Sequence, residues 1–261
     1  SLGASAGVLA KADLVVLVGK QLASPRKFGR APVGPACRWI VLDPDAAMIG
    51  RATKLHGARV ILAAQADAAS SAAALAAAMA PHGNTAWAAD VAAAIAYRPA
   101  AWDALAGTPD GPIHPATLCH ALRPHLAGDA VLVSDGGEIG QWAQAMLSAK
   151  ERIINGAAGA IGPGTPFALA ARHARADGRK VLAVMGDGTF GFHMAEFDTA
   201  FRHALPIVAV VGNDARWNAE YQIQLREYGA NRTHGCELAP GTRYDLVVQA
   251  LGGHGEFVER A

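Results

Sequence analysis

Short apolar runs and longer helical segments alternate along the chain. In the first hundred residues, runs rich in branched apolar side chains at 14–18, 39–43 and 59–62 predict three buried strands. An alanine-rich segment at 66–79 and a second segment at 85–98 predict helices. Strands that alternate with helices are typical of parallel sheets flanked by helices, so the pattern predicts an α/β fold.

The same alternation continues after residues 99–113, a segment with proline and glycine that we interpret as a linker. Apolar runs at 130–134, 181–185 and 207–211 predict three more strands. Helical patterns occupy six further segments, which are 115–125, 140–149, 164–175, 193–203, 217–228 and 244–251. The sequence therefore predicts two α/β units, residues 1–98 and residues 114–261.

Polar residues follow the last two predicted strands directly. Gly186-Asp187-Gly188 ends one strand, and Gly212-Asn213-Asp214 ends the other. Because the carboxyl ends of parallel strands meet at one edge of a sheet, Asp187 and Asn213 are expected to lie close together. A carboxylate, an amide oxygen and open glycine backbone suit a hard divalent cation that holds a diphosphate. Taken singly, each triplet is also ordinary turn chemistry in a chain with 29 glycines.

The composition of the chain gives no indication of a nucleic-acid or membrane partner. The net charge is +1 and charged residues make up 17% of the chain, which gives no sign of a nucleic-acid or membrane-surface partner. No apolar stretch reaches the roughly 18 residues that a membrane-spanning helix needs. The three widely spaced cysteines, Cys37, Cys119 and Cys236, predict buried reduced thiols and a cytoplasmic location.

The spacing between the two triplets resembles a known family. Asn213 follows Asp187 by 26 positions, and the segments 161–171 and 194–206 also carry the resemblance. Together they resemble the thiamine diphosphate (ThDP) enzymes, in particular acetolactate synthase, benzaldehyde lyase and 2-hydroxyacyl-CoA lyase.

The resemblance also implies a domain assignment. Residues 1–98 would be the C-terminal part of a central domain with an FAD- or NAD-like fold, and residues 114–261 the domain that binds the ThDP diphosphate. Nothing in the chain resembles the family's pyrimidine-binding domain or its last helix and strand. The chain is therefore expected to be a fragment.

The resemblance implies a set of metal ligands. Asp187 and the side chain of Asn213 would bind Mg²⁺, and the third protein ligand would be the backbone carbonyl of Ala215. Diphosphate oxygens would complete the octahedral coordination that Mg²⁺ prefers.

Two segments are expected to contact the diphosphate. In the first, Gly186 and Gly188 allow close backbone approach, and Thr189 and Phe190 open the following helix, whose N-terminus favours anions. The second is the turn at 135–140, with Gly137, Glu138 and Ile139 as the candidate contacts. A plain connection between a strand and a helix is the alternative for this turn, and Glu138 would bind through its backbone or face the substrate.

Four more residues are expected near the rest of the cofactor. Ile161 resembles the bulky residue that holds ThDP in its bent shape, with a core isoleucine as the alternative. Gly159 would contact the aminopyrimidine through its backbone. Trp217 and Asn218 begin a helix that would lie beside the active site, and core packing is the alternative for both.

The first unit contains a possible nucleotide site. Gly19, the loop at 26–32 and the acidic residues Asp43 and Asp45 resemble segments that bind FAD or ADP in relatives. A solvated loop is the alternative, so FAD or ADP is only an option here.

The resemblance implies a ThDP- and Mg²⁺-dependent carbon–carbon bond lyase or ligase, similar to acetolactate synthase. Its substrates would be small 2-keto acids, or 2-hydroxy ketones and acyl-CoAs, and the complete protein would be a homodimer or homotetramer. In the family that the chain resembles, the glutamate that activates the cofactor lies in the pyrimidine-binding domain, so the isolated chain is expected to be inactive. Two alternatives stay open: a catalytically silent nucleotide-binding or regulatory module, and a flavin or nicotinamide oxidoreductase. The oxidoreductase is disfavoured because the first unit has no Gly-x-Gly-x-x-Gly turn.

Overall fold

The chain folds into two compact units, Ser1–Arg98 and Pro99–Ala261. This computed structural model describes residues 2–20, 22, 33–80, 83, 85–105, 111–155, 159–175 and 177–260. The predicted loop at 26–32 therefore lies outside the described residues.

The first unit is a three-stranded parallel sheet. Its strands lie in the order β1 (Leu14–Val18), β2 (Arg38–Asp43) and β3 (Val60–Gln65). The helices of this unit are α1 (Leu2–Leu9), α2 (Ala46–His56), α3 (Ala68–Ala78) and α4 (Thr85–Ala96). The three predicted strands and the helices α3 and α4 are confirmed, whereas α1 and α2 were not predicted.

Helix α2 was not predicted, although six of its eleven residues are apolar. Asp45 caps it, since the Asp45 carboxylate accepts a hydrogen bond of 2.8 Å from the Ala47 N–H. Ala52 is fully buried, and Ile49 and Leu55 pack against the same small core as Val41 of β2. The apolar side of the helix thus packs on the sheet, and this contact stabilises the helix.

Gly50 gives a first testable prediction. It lies on the exposed side of α2, and a Cβ atom added there would meet nothing within 4 Å. Replacing Gly50 by alanine should therefore raise the free energy of unfolding by about 0.5–1 kcal/mol, because alanine favours the helix. Urea denaturation measures this.

Gly57 is the matched control for this substitution. It has equal free space, but its φ is +56°, so Gly57→Ala should destabilise the protein. Equal effects at the two sites would contradict the prediction.

The second unit is a four-stranded parallel sheet. The strand order is β5 (Glu151–Ile154), β4 (Val131–Ser134), β6 (Val181–Gly186) and β7 (Val208–Gly212). The helices are α5 (Pro115–Leu122), α6 (Gly137–Met146), α7 (Gly164–Ala174), α8 (Asp187–Gly191), α9 (Glu196–Arg202), α10 (Asn218–Tyr228) and α11 (Tyr244–Ala250). All three predicted strands of this unit are confirmed.

Several local differences separate this unit from the predicted elements, among them the short helix α8, which was not predicted. Helix α6 begins at Gly137 rather than at 140, and the helix predicted from 193 begins at Glu196. The edge strand β5 was not predicted, because it is only four residues long and half of it is charged. Its Glu151 carboxylate accepts hydrogen bonds from Arg175 and Arg179, so side-chain contacts add to its pairing with β4.

Alternate residues of the central strands point into two separate cores. Leu132, Leu182 and Val184 pack with residues of α5 and α6 on one face of the sheet. On the other face, Val131 and Ala183 pack with residues of α7, α8 and α9. The sheet is thus covered on both sides, which leaves its edges and strand ends for chemistry.

The cysteines and the membrane prediction can be compared directly with the structure. Cys37, Cys119 and Cys236 are free and buried, as predicted. Burial raises the pKa of the Cys119 thiol to about 11. Within the described residues, no helix is both long and apolar enough to cross a membrane.

Candidate cofactor site

An open cleft of about 210 Å³ lies at the carboxyl end of the second sheet. Gly186 of β6 and Gly212 of β7 are register partners, so the residues that follow them start side by side. The cleft is lined by parts of the turn after β4 and of helix α6, by Ile161, and by residues 186–189, 216, 217, 219 and 220. This is the edge at which the sequence placed its candidate ligands.

Asp187 lies in the wall of this cleft with an unused carboxylate oxygen. The residue is 1% exposed, and its Oδ2 atom has no hydrogen-bond partner among the described residues. Burial raises the pKa of the Asp187 carboxyl, and the backbone N–H groups of Gly188 and Ala215 counteract part of that increase. A buried anionic oxygen without a partner is costly unless a cation binds it, so this arrangement suits a divalent metal ion.

The loop after β7 holds the other two predicted ligands. The Asn213 amide donates to the Thr242 carbonyl at 3.1 Å and accepts from the Ala215 N–H at 3.3 Å, which fixes its plane. Ala215 has a φ of +54°, and its carbonyl accepts a hydrogen bond of 2.7 Å from Leu238. A carbonyl oxygen has a second lone pair, so this bond still leaves Ala215 one site for a cation.

Neither Asn213 nor Ala215 is among the residues that line the cleft, although their neighbours Arg216 and Trp217 are. No group of three His, Cys, Asp or Glu side chains suited to a metal occurs in the described part of the chain. The predicted set of one carboxylate, one amide and one backbone carbonyl is of a different kind. Oxygen ligands of this sort, completed by phosphate, are what Mg²⁺ uses in nucleotide and diphosphate sites.

Charge around Asp187 adds to its attraction for a cation. Desolvation, followed by the negative charge of Asp187, raises the pKa of the Asp214 carboxyl. Arg216 is the one cationic side chain among the lining residues, and its guanidinium lies 4.5 Å from the centre of the Tyr221 ring. The cleft thus pairs a region of negative potential with one exposed positive group.

Asp135 organises the floor of the cleft, and the sequence reasoning did not single it out. The residue is 1% exposed, and its Oδ1 atom accepts from the Gly136 N–H at 2.6 Å. Its Oδ2 atom accepts from the N–H groups of Gly162 and Gly164 at 3.0 and 2.6 Å. One carboxylate therefore ties the turn after β4 to the loop that carries Ile161. The available signal was an aspartate placed directly between a buried strand and two glycines.

In the turn after β4, only backbone is free to meet a ligand. Gly137 lines the cleft with a φ of +80°. The Ile139 side chain is buried and packs against Gly212, where an added Cβ would lie 2.9 Å away. The Glu138 carboxylate accepts hydrogen bonds from the Trp142 indole at 3.3 Å and from the Asn218 amide. These contacts favour the prediction that Glu138 contributes through its backbone over the prediction that it faces the substrate.

Protein packing accounts for part of the Gly-Asp-Gly-Thr-Phe segment. A Cβ on Gly188 would lie 2.7 Å from the Trp217 ring, so the indole occupies the space that this glycine leaves. Phe190 is 1% exposed and packs in the core against Phe197 and Tyr244, which leaves only its backbone for a ligand. Gly186 and the buried Thr189 both line the cleft.

The remaining predicted residues divide between the cleft and its surroundings. Ile161 is 37% exposed and lines the cleft, so it is not the core isoleucine of the alternative interpretation. Trp217 also lines the cleft and makes an edge contact with the Phe192 ring. Asn218 does not line the cleft; it binds Glu138 instead. Gly159 is exposed and has a φ of +70°, but it is not among the lining residues.

The candidate nucleotide residues of the first unit have structural tasks. The Asp43 carboxylate accepts from the Asp45 N–H at 2.9 Å, and Asp45 caps α2. Gly19 has a φ of +55°, and an added Cβ would lie 2.8 Å from Ala68. These contacts explain the residues without a ligand, and FAD or ADP binding stays a prediction.

Comparison with known proteins gives the family. Residues 135–261 match the family model described as "Thiamine pyrophosphate enzyme, C-terminal TPP binding domain". Thiamine pyrophosphate (TPP) is another name for ThDP. These residues therefore form a TPP-binding domain of the ThDP enzyme family. The matched segment begins at Asp135, the residue that organises the floor of the cleft, and it includes both predicted ligand triplets.

Two curated relatives of the chain are named as enzymes. The chain is 41% identical over 150 residues to the "Probable acetolactate synthase" of Mycobacterium bovis, across 56% of this chain and 27% of that protein. It is 36% identical over 151 residues to "2-hydroxyacyl-CoA lyase 2" of Danio rerio, across 57% of this chain and 24% of that protein. The chain thus spans about a quarter of the length of these relatives.

A solved structure shows the same fold. The ThDP-dependent 4-hydroxybenzoylformate decarboxylase of Rhodococcus jostii RHA1 matches with a TM-score of 0.69 at 20% identity, across 97% of this chain and 45% of that chain. The predicted α/β fold is therefore confirmed, and the predicted family is confirmed by the family model that matches residues 135–261.

Proposed function

We propose that the cleft binds ThDP through Mg²⁺ and that the chain belongs to an enzyme that makes or breaks carbon–carbon bonds. The observation that carries this proposal is the unpartnered Oδ2 atom of buried Asp187 in the wall of a cleft within a TPP-binding domain. Asp187, Asn213 and the Ala215 carbonyl would bind the metal ion. Backbone at Gly137, Gly186 and Thr189 would face the diphosphate, because these residues line the cleft.

The chain's own residues would supply position and a partly dry site. Ile161 and Trp217 offer apolar surface at the cleft, and Asp135 fixes the backbone that carries Ile161. When bound, ThDP supplies the carbon nucleophile that attacks a carbonyl group and the electron sink that stabilises the resulting carbanion. The side chains of Glu138 and Asn218 support the wall of the site by binding each other.

The names of the two relatives suggest two candidate reactions. One relative is named as a synthase of acetolactate and the other as a lyase of 2-hydroxyacyl-CoA. We propose an acetolactate synthase-like activity on 2-keto acids, with cleavage of 2-hydroxy ketones or acyl-CoAs as the second candidate. In this proposal a pyrimidine-binding domain and a second subunit complete the site, as a homodimer or homotetramer.

Calorimetric titration tests the cofactor proposal on the 261-residue chain. After treatment with EDTA, ThDP should bind when Mg²⁺ is restored and should bind at least tenfold more weakly without it, because Mg²⁺ would offset the repulsion between the Asp187 carboxylate and the diphosphate. Thiamine, which lacks the diphosphate, is the matched control ligand and should not respond to Mg²⁺. ThDP binding that is indifferent to Mg²⁺ would contradict the proposal. Product analysis with pyruvate and with a 2-hydroxyacyl-CoA, in a protein that also supplies the pyrimidine-binding domain, would separate the two reactions.

A further inference from the structure

We propose that His193 is a positioning residue that holds the Ile161 loop in place for the cofactor. This inference rests on the proposed function, because it concerns how Ile161 is presented to ThDP. Nothing in the motif pattern points to His193, which lies in the exposed turn between α8 and α9.

Gly162, the residue after Ile161, makes hydrogen bonds through both of its backbone polar groups. Its N–H donates to the Asp135 Oδ2 atom at 3.0 Å, and its carbonyl oxygen lies 2.8 Å from the His193 Nδ1 atom. A carbonyl can only accept a hydrogen bond, so Nδ1 carries the proton and donates. Gly162 is therefore held from both sides, by the floor of the cleft on one side and by His193 on the other.

The backbone at Gly162 needs outside contacts to stay in one conformation, because glycine is conformationally permissive. Gly162 has a φ of +106°, in a region that favours glycine. An added Cβ would lie 2.9 Å from the Phe192 Cβ atom, so the turn that carries His193 packs directly on the loop. The two hydrogen bonds fix the orientation of a segment that would otherwise have wide conformational freedom.

Ile161 is the residue that this arrangement serves. It precedes Gly162 directly, it is 37% exposed, and it lines the cleft. Its Cγ2 atom lies close to Gly136: a Cβ atom added to Gly136 would be 2.4 Å from the Ile161 Cγ2 atom. A small rotation at Gly162 would move Ile161 against Gly136 or out of the cleft. The hydrogen bond from His193 therefore controls the position of the Ile161 side chain.

The protonation state of His193 does not change this role. The neutral ring with hydrogen on Nδ1 and the doubly protonated ring both donate from Nδ1. His193 therefore acts through the geometry of its hydrogen bond and not as a pH-dependent switch.

A pair of isosteric variants tests the proposal. Asparagine at position 193 can keep an N–H donor near the place of Nδ1, whereas leucine places a methyl group there with nearly the same shape. His193→Leu should weaken Mg²⁺-dependent ThDP binding about tenfold, which corresponds to about 1.4 kcal/mol and to the loss of one hydrogen bond. His193→Asn should stay within about threefold of the wild-type affinity.

Binding of inorganic diphosphate in the presence of Mg²⁺ distinguishes the positioning role from a general structural defect, because a general defect would weaken this binding as well. Diphosphate should bind His193→Leu as tightly as the wild type, because it has no ring for Ile161 to contact. Equal weakening of ThDP and diphosphate, equal ThDP affinity in leucine variant and wild type, or equal behaviour of the asparagine and leucine variants would each overturn the proposal.

Hydrogen exchange gives a measurement that needs no cofactor. In His193→Leu, amides of the segment 159–164 should exchange at least about fivefold faster than in the wild type, while those of the β6 strand stay unchanged. Unchanged exchange at 159–164 would overturn the positioning role even if the cofactor proposal holds. A wild-type chain that binds neither ThDP nor diphosphate would refute the proposed function, and the exchange result would still decide the role of His193.

Discussion

Replacing Asp187 by asparagine is expected to abolish Mg²⁺-dependent binding of ThDP. The carboxylate is the only buried anionic group of the cleft whose oxygen is unpartnered among the described residues, and asparagine removes its charge while keeping its shape. The affinity for ThDP should fall at least about a hundredfold in the presence of Mg²⁺, because a charged metal ligand is lost from a desolvated site. Isothermal titration calorimetry with ThDP, with and without the metal, measures this change.

The folded state should tolerate this substitution. Burial raises the pKa of Asp187, which means that the folded protein disfavours its charged form in the absence of a metal ion. This cost is present at neutral pH and disappears when the carboxyl is protonated at low pH. A neutral asparagine avoids it, so the metal-free variant should be at least as stable as the wild type in urea.

Asp129→Asn is the matched control. Asp129 is exposed and pairs with Lys150 at 2.9 Å, away from the lining of the cleft. This variant should bind ThDP like the wild type. Tight, metal-dependent ThDP binding by Asp187→Asn would show that the metal site is built from other groups.

Replacing Asp135 by alanine is expected to cause the largest loss of stability near the site. Its carboxylate satisfies the N–H groups of Gly136, Gly162 and Gly164 in a position that is 1% exposed. Alanine would leave three donors without their acceptor, and each such group costs about 1–3 kcal/mol. The free energy of unfolding should fall by about 3–5 kcal/mol, as measured by urea denaturation.

Asp135→Asn and Ser134→Ala give two graded controls. Asparagine keeps one acceptor oxygen but turns an N–H₂ group toward an N–H donor, so its effect should be intermediate. Ser134 is equally buried, yet its hydroxyl has no partner among the described residues, so Ser134→Ala should change stability by less than about 1 kcal/mol. A loss at Asp135→Ala no larger than that at Ser134→Ala would contradict the role given to the carboxylate.

The position of the candidate site could be predicted because it depends on strand ends. Once 181–185 and 207–211 are recognised as strands, parallel pairing brings Asp187 and Asn213 to the same edge, and the pairing of Gly186 with Gly212 agrees with this. The apolar runs that define these strands are local, and the period of two assigns their faces. The fold class and the edge that carries the site therefore followed from sequence patterns.

The direction of individual side chains could not be predicted in this way. Ile139 and Phe190 belong to the cofactor motifs, but both side chains lie in the cores on opposite faces of the sheet. Glu138 binds Asn218, which is 80 positions away along the chain. Periodicity reports which face of an element is apolar, but it contains no information about which distant residue meets that face.

What the sequence by itself determined is most of the strands and helices of each unit, the family resemblance, and the position of Asp187 and Asn213 at one sheet edge. Only the tertiary structure decided how that edge is built. Asp135 reaches Gly164 across 29 positions, His193 reaches Gly162 across 31, and Trp217 fills the space left by Gly188. These contacts join segments that are separated in sequence, and their hydrogen bonds exist only when the sheet has placed both partners within about 3 Å.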